Sequence, residues 1–396
     1  MSTTSQADPP ETGGPLLTTV AVIASCAAFV VIGALQALYG PAIPALRDEY
    51  GISPAVAGLG LSAHFVGALA GVLVYHLLRG RGSNRALLGG SYVLMAVGAA
   101  VFACAPNWPL ALTGTFVIGL GFGGIDYGLN QLFAVGFGRR SAAMLNLLNG
   151  HFGVGAIAGP ALIGWFGADD YPQIFLGIGV ISLLILPTLG AVASREPRPA
   201  PAEGAATGGA RVLPVIAAFI GVYVLHVAIE TGVGGWEPTH LEAVGFGAAT
   251  AATATSAYWA AMTVGRFVVA PLSLRWSAPT ILIGCCAGMS GFLLLATVPV
   301  LAPYAYFGVG LMIAPIFPTC LPWLNRAVPG VAGAGAYVIA ASMIGGVAFP
   351  PLLGGVIDAV DVKSVPLVLF LLAAACGALS LWLRRNAPGP ANRPTA

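Results

Sequence analysis

Asp126 and Glu230 stand inside long apolar runs of a chain that carries almost no other charge at that depth. A carboxylate surrounded by hydrocarbon is costly unless it faces a polar cavity, finds a partner or takes up a proton, so it marks a route for substrate or protons. Asn130 follows Asp126 by four residues, and positions i and i+4 share one face of a helix. About 13 residues separate Asp126 from Arg139, roughly 20 Å of helix, which puts the acid near the middle of a bilayer. Two chemistries follow from that position. The acid accepts a proton or a substrate hydroxyl, or it makes a helix-to-helix hydrogen bond to Asn146 or Asn149 in the next run.

Tyr223, His226 and Glu230 lie at i, i+3 and i+7, one stripe of a helix, and the spacing of four from His226 to Glu230 allows a direct pair. Imidazole and a buried carboxylate can pass a proton near neutral pH. The structural reading is a packing pair near the outer interface, with Trp236 as an interfacial anchor. His64 and His151 read as core histidines, while Glu237, His240 and Glu242, beyond Trp236, read as solvated. Tyr223, Trp236, Tyr258, Trp259 and Tyr337 offer flat faces for a sugar ring, and Gln36, Asn130, Asn146 and Asn149 offer neutral donors and acceptors for its hydroxyls. Each aromatic also has a plainer reading, as packing against protein or lipid.

The elements that position these residues must be membrane helices. Of 396 residues 58% are apolar and 8% charged, against about 25% charged in a soluble domain, and the mean hydropathy is +0.90. A spanning helix needs about 20 apolar residues, and twelve such runs are present, near 17–40, 53–78, 86–104, 109–135, 142–166, 173–193, 213–236, 248–274, 278–299, 301–324, 332–357 and 365–384. Pro315, Pro318 and Pro322 in the tenth, and Gly345, Gly346, Pro350 and Pro351 in the eleventh, let those spans bend. The all-α membrane fold predicted has a tail at 1–16, a six-helix half at 17–193, a linker at 194–212, a second half at 213–384 and a tail at 385–396. The polar start, Met1 to Gly14, lacks the basic region of a signal peptide. With the N-terminus inside, 14 of the 16 basic residues fall on the cytoplasmic side, among them Arg79, Arg81, Arg85, Arg266 and Arg275. Asp48, Glu49, Asp169, Asp170, Glu242, Asp358 and Asp361 gather opposite. The positive-inside rule then puts both termini in the cytoplasm of a cell carrying this multi-pass protein in its cytoplasmic membrane. The six cysteines read as small membrane-core residues, and no metal, cofactor or nucleic acid is expected.

The halves echo each other. At an offset of 191 residues Phe116, Gly119 and Leu120 fall on Phe307, Gly310 and Leu311, and Gly155, Pro160, Leu162 and Gly164 fall on Gly346, Pro351, Leu353 and Gly355. Parallel six-helix repeats with a site between them form the architecture of the major facilitator superfamily. The chain resembles that superfamily further at Gly265-Arg266 with Pro271-Leu272 and Arg275, similar to its second-half cytoplasmic gating motif. The first-half copy keeps Gly71, Leu73, Arg79, Arg81 and Arg85 but has Tyr75 and His76 where an acid is expected.

A narrower resemblance, to the fucose:proton symporter family, rests on Asp126 with Asn130, Asn146 with Gly155-Ala156, Tyr223 with Glu230 and Gly235-Trp236, and Gly345-Gly346 with Pro350-Pro351. This chain has Gln36 in its first span where sugar members of that family place a carboxylate. The resemblance implies a monomeric carrier that moves a small polar solute, a sugar, with protons by alternating access. Asp126, Glu230 and His226 would couple protons, and Gly71, Arg79, Arg81, Arg85, Gly265, Arg266 and Arg275 would gate. Proton-coupled efflux of amphipathic compounds is the alternative. No phosphate-binding loop, nucleophile elbow or zinc-protease motif is present to suggest an enzyme.

Overall fold

The computed structural model describes residues 16–79, 81–137, 140–194, 212–272, 275–328, 331 and 334–387. The expected linker and both tails fall largely outside these residues. Described are α1 (Thr19–Tyr50), α2 (Pro54–Leu78), α3 (Asn84–Ala103), α4 (Trp108–Gly136), α5 (Ser141–Phe166), α6 (Tyr171–Ile185), α7 (Val212–Ala243), α8 (Ala248–Leu272), α9 (Ala278–Leu295), α10 (Ala302–Ile313), α11 (Ile316–Ala327), α12 (Ala334–Ala359) and α13 (Val365–Asn386).

Local chemistry starts the helices. The side chains of Thr18, Ser53, Ser83, Asn107 and Ser277 each accept a backbone N–H from the first turn of α1, α2, α3, α4 and α9, satisfying donors that would otherwise be orphaned. The tenth span is two helices, because Pro315 has no N–H to continue α10 and its ring crowds the preceding turn. Two expected limits are corrected. α1 runs through Pro41 and Pro44 to Tyr50, and α7 runs past Trp236 and through Pro238 to Ala243. Prolines do not end these spans, because in a membrane bundle neighbouring helices can satisfy the freed carbonyls.

Among the described residues, eleven segments are long and apolar enough to cross a membrane. α8 is 25 residues long and is not one of them. Its Thr250, Thr253, Thr255, Ser256, Thr263 and Arg266 make it the most polar of the long helices, as befits one facing the interior of the bundle.

The packing repeats with a shift of six spans. α1 packs on α5 as α7 packs on α12, α2 on α4 as α8 on α10, and α3 on α6 as α9 on α13. The two halves meet through α2 with α12, α5 with α8, and α1 with α7. Lipid gives no hydrophobic drive for helices to associate, so close backbone packing through small residues takes its place. Gly119 presses on the His64 carbonyl as Gly310 presses on that of Tyr258, and Gly71 meets Leu120 as Gly265 meets Leu311. One register is corrected. Gly155 lies against the Val30 carbonyl and its counterpart against Val224 is Gly345, one residue from the Gly346 expected at constant offset. Gly346 turns instead across the halves toward the Phe65 ring.

Tyr50 donates to the Ala105 carbonyl at 2.9 Å and Tyr171 to Glu49 at 2.6 Å, gathering the acidic loops at one end. At the other, arginine-rich end Arg85 donates to the Val192 carbonyl at 2.6 Å. The seam between halves is closed on the acidic side. There Asp358 at the end of α12 accepts from Ser53 Oγ at 2.9 Å and from Ala55 N at 3.0 Å, capping α2 of the other half. Gly40 meets Gly234, Gly58 meets Pro350, and Gly354 meets Pro54, all in the acidic halves of their helices. Toward the arginine-rich end Leu73, Leu77, Tyr337 and Ile344 of α2 and α12 are exposed.

A Cβ on Gly40 would overlap the Gly234 carbonyl oxygen. Gly40→Val is therefore expected to force α1 from α7 and lower the melting temperature, by the equivalent of about 1–3 kcal/mol for overpacking. An unchanged melting temperature would show that the two helices do not meet there.

Candidate functional site

The first polar cluster joins α4 to α5. Asn130 donates through Nδ2 to Asp126 Oδ1 at 3.0 Å, and Asn149 donates through Nδ2 to Asn130 Oδ1 at 3.0 Å. Asn130 also bonds the Asp126 carbonyl and Asn149 the Leu145 carbonyl, which holds both amides in one orientation. The i, i+4 pairing expected of Asp126 and Asn130 is present, and so is the bridge to the next helix, through Asn149. Asp126, Asn130 and Asn149 are half-buried and Asn146 is exposed, so the carboxylate is neither sealed in the core nor in bulk solvent.

The second cluster lies at mid-length of α7. His226 Nε2 stands 3.3 Å from Glu230 Oε2, with the two side chains 5% and 18% exposed. Arg266 of α8 is near enough to act on the Glu230 charge, although its guanidinium also leans on Met262 Sδ at 3.8 Å. A residue assigned by motif to gating thus borders the His226–Glu230 pair. Tyr223 is buried and donates to the Phe317 carbonyl at 3.1 Å, tying α7 to the start of α11 just after the break in the tenth span. His226 packs on the same Phe317 ring, centroids 6.2 Å apart.

Between the halves Gln36, Tyr39, His64, Thr231, Gly234 and Trp259, with apolar neighbours, line a cleft of about 20 Å³. That is room for about one water, so a larger solute enters only as the halves move. Buried polar atoms nearly always find a partner. Here His64 Nε2, Trp259 Nε1, His226 Nδ1 and the Tyr258 hydroxyl are buried without one. Tyr39 and His64 were not anticipated as site residues. His64 Nδ1 pairs with the Tyr39 hydroxyl at 3.4 Å. The equivalent glycine contacts make His64 the first-half counterpart of Tyr258, a match that the sequence offset of 191 does not give.

Other expected residues fall elsewhere. Trp236 is wholly buried and its indole donates to the Pro350 carbonyl at 3.1 Å, so it locks α7 to α12 and is not an interfacial anchor. Trp236→Phe removes that bond and is expected to cost about 1 kcal/mol, read as a lower melting temperature with ligand affinity retained; lost affinity at full stability would put Trp236 on the substrate. Tyr337 is 69% exposed, in the first turn of α12 and off the cleft. Glu237 and His240, expected in solvent, are buried, 0% and 2% exposed, because α7 continues inside the bundle. His151 is half-exposed and bonds the Leu147 carbonyl, and Cys104 is exposed at the end of α3.

The residues expected to gate divide by contact. Gly71 and Gly265 are the matched close approaches described above. Arg79 donates to Gln131 Oε1 at 3.0 Å, and His76, standing where an acid was expected, pairs with the Tyr127 hydroxyl at 2.6 Å. Both tie the arginine-rich end of α2 to α4. Arg81 and Arg275 are exposed.

A helical bundle of two equivalent halves, closed at one end of their seam with polar side chains along it, is the build of a membrane carrier. Residues 25–309 match the profile of the Major Facilitator Superfamily, and the chain belongs to that family of multi-pass membrane transporters. No curated protein matches it by sequence. Among solved structures it is similar to a bacterial homolog of the human lysosomal transporter Spinster in an inward-facing, unoccupied conformation, at 12% identity over 97% of this chain and 100% of that one, TM-score 0.78. It is similar to the inward-open xylose transporter XylE from E. coli, at 12% identity over 94% and 97%, TM-score 0.75. It also resembles the E. coli fucose:proton symporter FucP, at 18% identity over 92% and 98%, TM-score 0.60. At such identities the likeness is one of fold.

Proposed function

We propose that this transporter moves a small polar solute, a sugar, together with protons, by rocking its halves about the seam between α1, α2, α7 and α8. The observation that carries the reading is the set of unpartnered polar atoms at that seam. His64 Nε2 and Trp259 Nε1, beside Gln36, are buried where a polyhydroxyl ligand would satisfy them. The sugar:proton symporters of the same fold, for xylose and for fucose, support it.

Asp126 and Glu230, each half-buried, are the coupling carboxylates of this scheme, with His226 as the partner that exchanges a proton with Glu230. Asn130 and Asn149 orient Asp126. Gln36, Trp259 and Tyr258 contact the solute once the seam opens, and Asn146 meets it on the arginine-rich side. The matched glycines and the arginines at the ends of α2 and α8 form the inner gate. The arginine-rich end faces the cytoplasm, in keeping with the positive-inside rule. The carrier works as a monomer in the cytoplasmic membrane, each six-helix half moving as a unit on the linker.

A thermal-shift screen of purified protein against monosaccharides and lipophilic cations tests the substrate class. A ligand at 100 times its Kd stabilises the folded state by about 2.7 kcal/mol. A rise with a monosaccharide and none with cations is expected. The reverse pattern would replace sugar symport with efflux of amphipathic cations.

A further inference from the structure

Glu237 is wholly buried, and among the described residues neither of its carboxyl oxygens has a partner within hydrogen-bond geometry. The Thr255 hydroxyl, which lies beside it, donates to the Ala251 carbonyl at 3.2 Å. No cation stands within ion-pair distance of Glu237 among the described residues. An ionised carboxylate in such a place would be desolvated without compensation, whereas the neutral acid is tolerated. The titratable groups that face it are Tyr258 from α8 and Tyr306 from α10. One turn on along α7 is His240, which is bonded through Nδ1 to the Tyr306 hydroxyl at 3.1 Å and has Asp361 nearby. Glu230 lies two turns back along the same helix.

A route to water lies close by on the acidic side. A crevice of about 670 Å³ between the halves, lined by Arg47, Thr239, Glu242, Asp358 and Asp361 among others, reaches α7 two residues from Glu237. On this side α2 meets α12 and α1 meets α7, at the contacts that close this end.

We propose that Glu237 is a proton-binding site of the carrier, neutral while the acidic end is closed and releasing its proton to that side when α7 parts from α1 and the crevice deepens. The proton goes to water in the crevice and returns before the end can close again. Closure of this end is thereby tied to occupancy by a proton. The inference rests on the alternating-access reading above, but it assigns a group distinct from Asp126 and Glu230.

Spin labels at Asp169→Cys and Val360→Cys, on exposed loops of opposite halves at the acidic end, with the six native cysteines replaced by alanine, report the opening as a distance. One proton can shift a two-state equilibrium by at most about tenfold per pH unit. The ratio of long to short distances is expected to rise about tenfold or more between pH 6 and pH 9 in the protein carrying Glu237. In Glu237→Gln, a mimic of the neutral acid, the short distance should persist at both pH values. His240→Gln should keep the pH response, which separates the carboxyl group from the imidazole one turn on. A response unchanged in Glu237→Gln, absent from the parent protein or lost only in His240→Gln would overturn the proposal. Should Glu237→Gln fail to fold, infrared spectra of the unmutated protein decide. An unbonded carboxylic-acid carbonyl band at neutral pH that disappears at alkaline pH is expected, and its absence would be equally fatal.

Discussion

Asp126→Asn is expected to leave the protein folded but unable to accumulate solute. The substitution keeps the size of the side chain and an oxygen able to accept from Asn130, so the chain from Asn149 through Asn130 to residue 126 survives. What disappears is a group that can carry a proton. A pH gradient of one unit stores about 1.4 kcal/mol per proton, enough for about tenfold accumulation when one proton moves with one solute. Proteoliposomes given that gradient should reach this ratio with the native protein and only equilibration, a ratio of about one, with the mutant. Exchange of labelled for unlabelled solute without a gradient should continue in both. If the α4–α5 bridge were the whole role of Asp126, the outcome would differ: a lower melting temperature, with gradient-driven accumulation by the protein that remains.

Glu230→Gln is expected to be nearly as severe, and by another route. α7 is the counterpart of α1 in the repeat of helix packing, and α1 carries Gln36 where sugar symporters of the resembled family have an acid. Glu230, paired to His226 at 3.3 Å and close to Arg266, is placed to take that duty. Its amide variant should lose solute binding or the pH dependence of binding between about pH 5 and pH 8, the range in which a histidine side chain ordinarily changes charge. His226→Gln should keep part of the activity. It removes the group 3.3 Å from the carboxylate, so the pH profile should shift. Wild-type affinity with an unchanged profile in Glu230→Gln would leave Asp126 as the sole coupling acid.

The parts of this molecule that follow from period and composition are legible in the chain. Runs of about 20 apolar residues locate the spans, prolines mark the break at Pro315, and helical spacing places Asn130 on Asp126 and His226 on Glu230. What the chain conceals is which face of each helix meets another helix and how far a span continues inside the bundle. Gly234, Gly235 and Pro238 look like the end of a helix, yet α7 runs on to Ala243, and so Glu237 and His240, read as solvated, are enclosed. Trp236 looks like an interfacial anchor because an indole suits the membrane surface, but here the Pro350 carbonyl accepts its N–H. Tyr39 and His64 sit in long, predominantly apolar runs, so the spacing of Gln36 and Tyr39 on one face of α1 does not by itself single them out. The seam between the halves brings them to Trp259. The one-residue slip that matches Gly155 with Gly345 is likewise set by three-dimensional contact.

The central claim is that solute and proton move together in the same direction. It is tested most directly by adding monosaccharides to a lightly buffered suspension of proteoliposomes containing the protein, with a pH electrode in the medium. The expected result is a transient alkalinisation on addition of the transported sugar, absent in Asp126→Asn, as protons follow the sugar inward. Uptake of sugar with no change of external pH, or pH changes evoked only by lipophilic cations and of opposite sign, would contradict it.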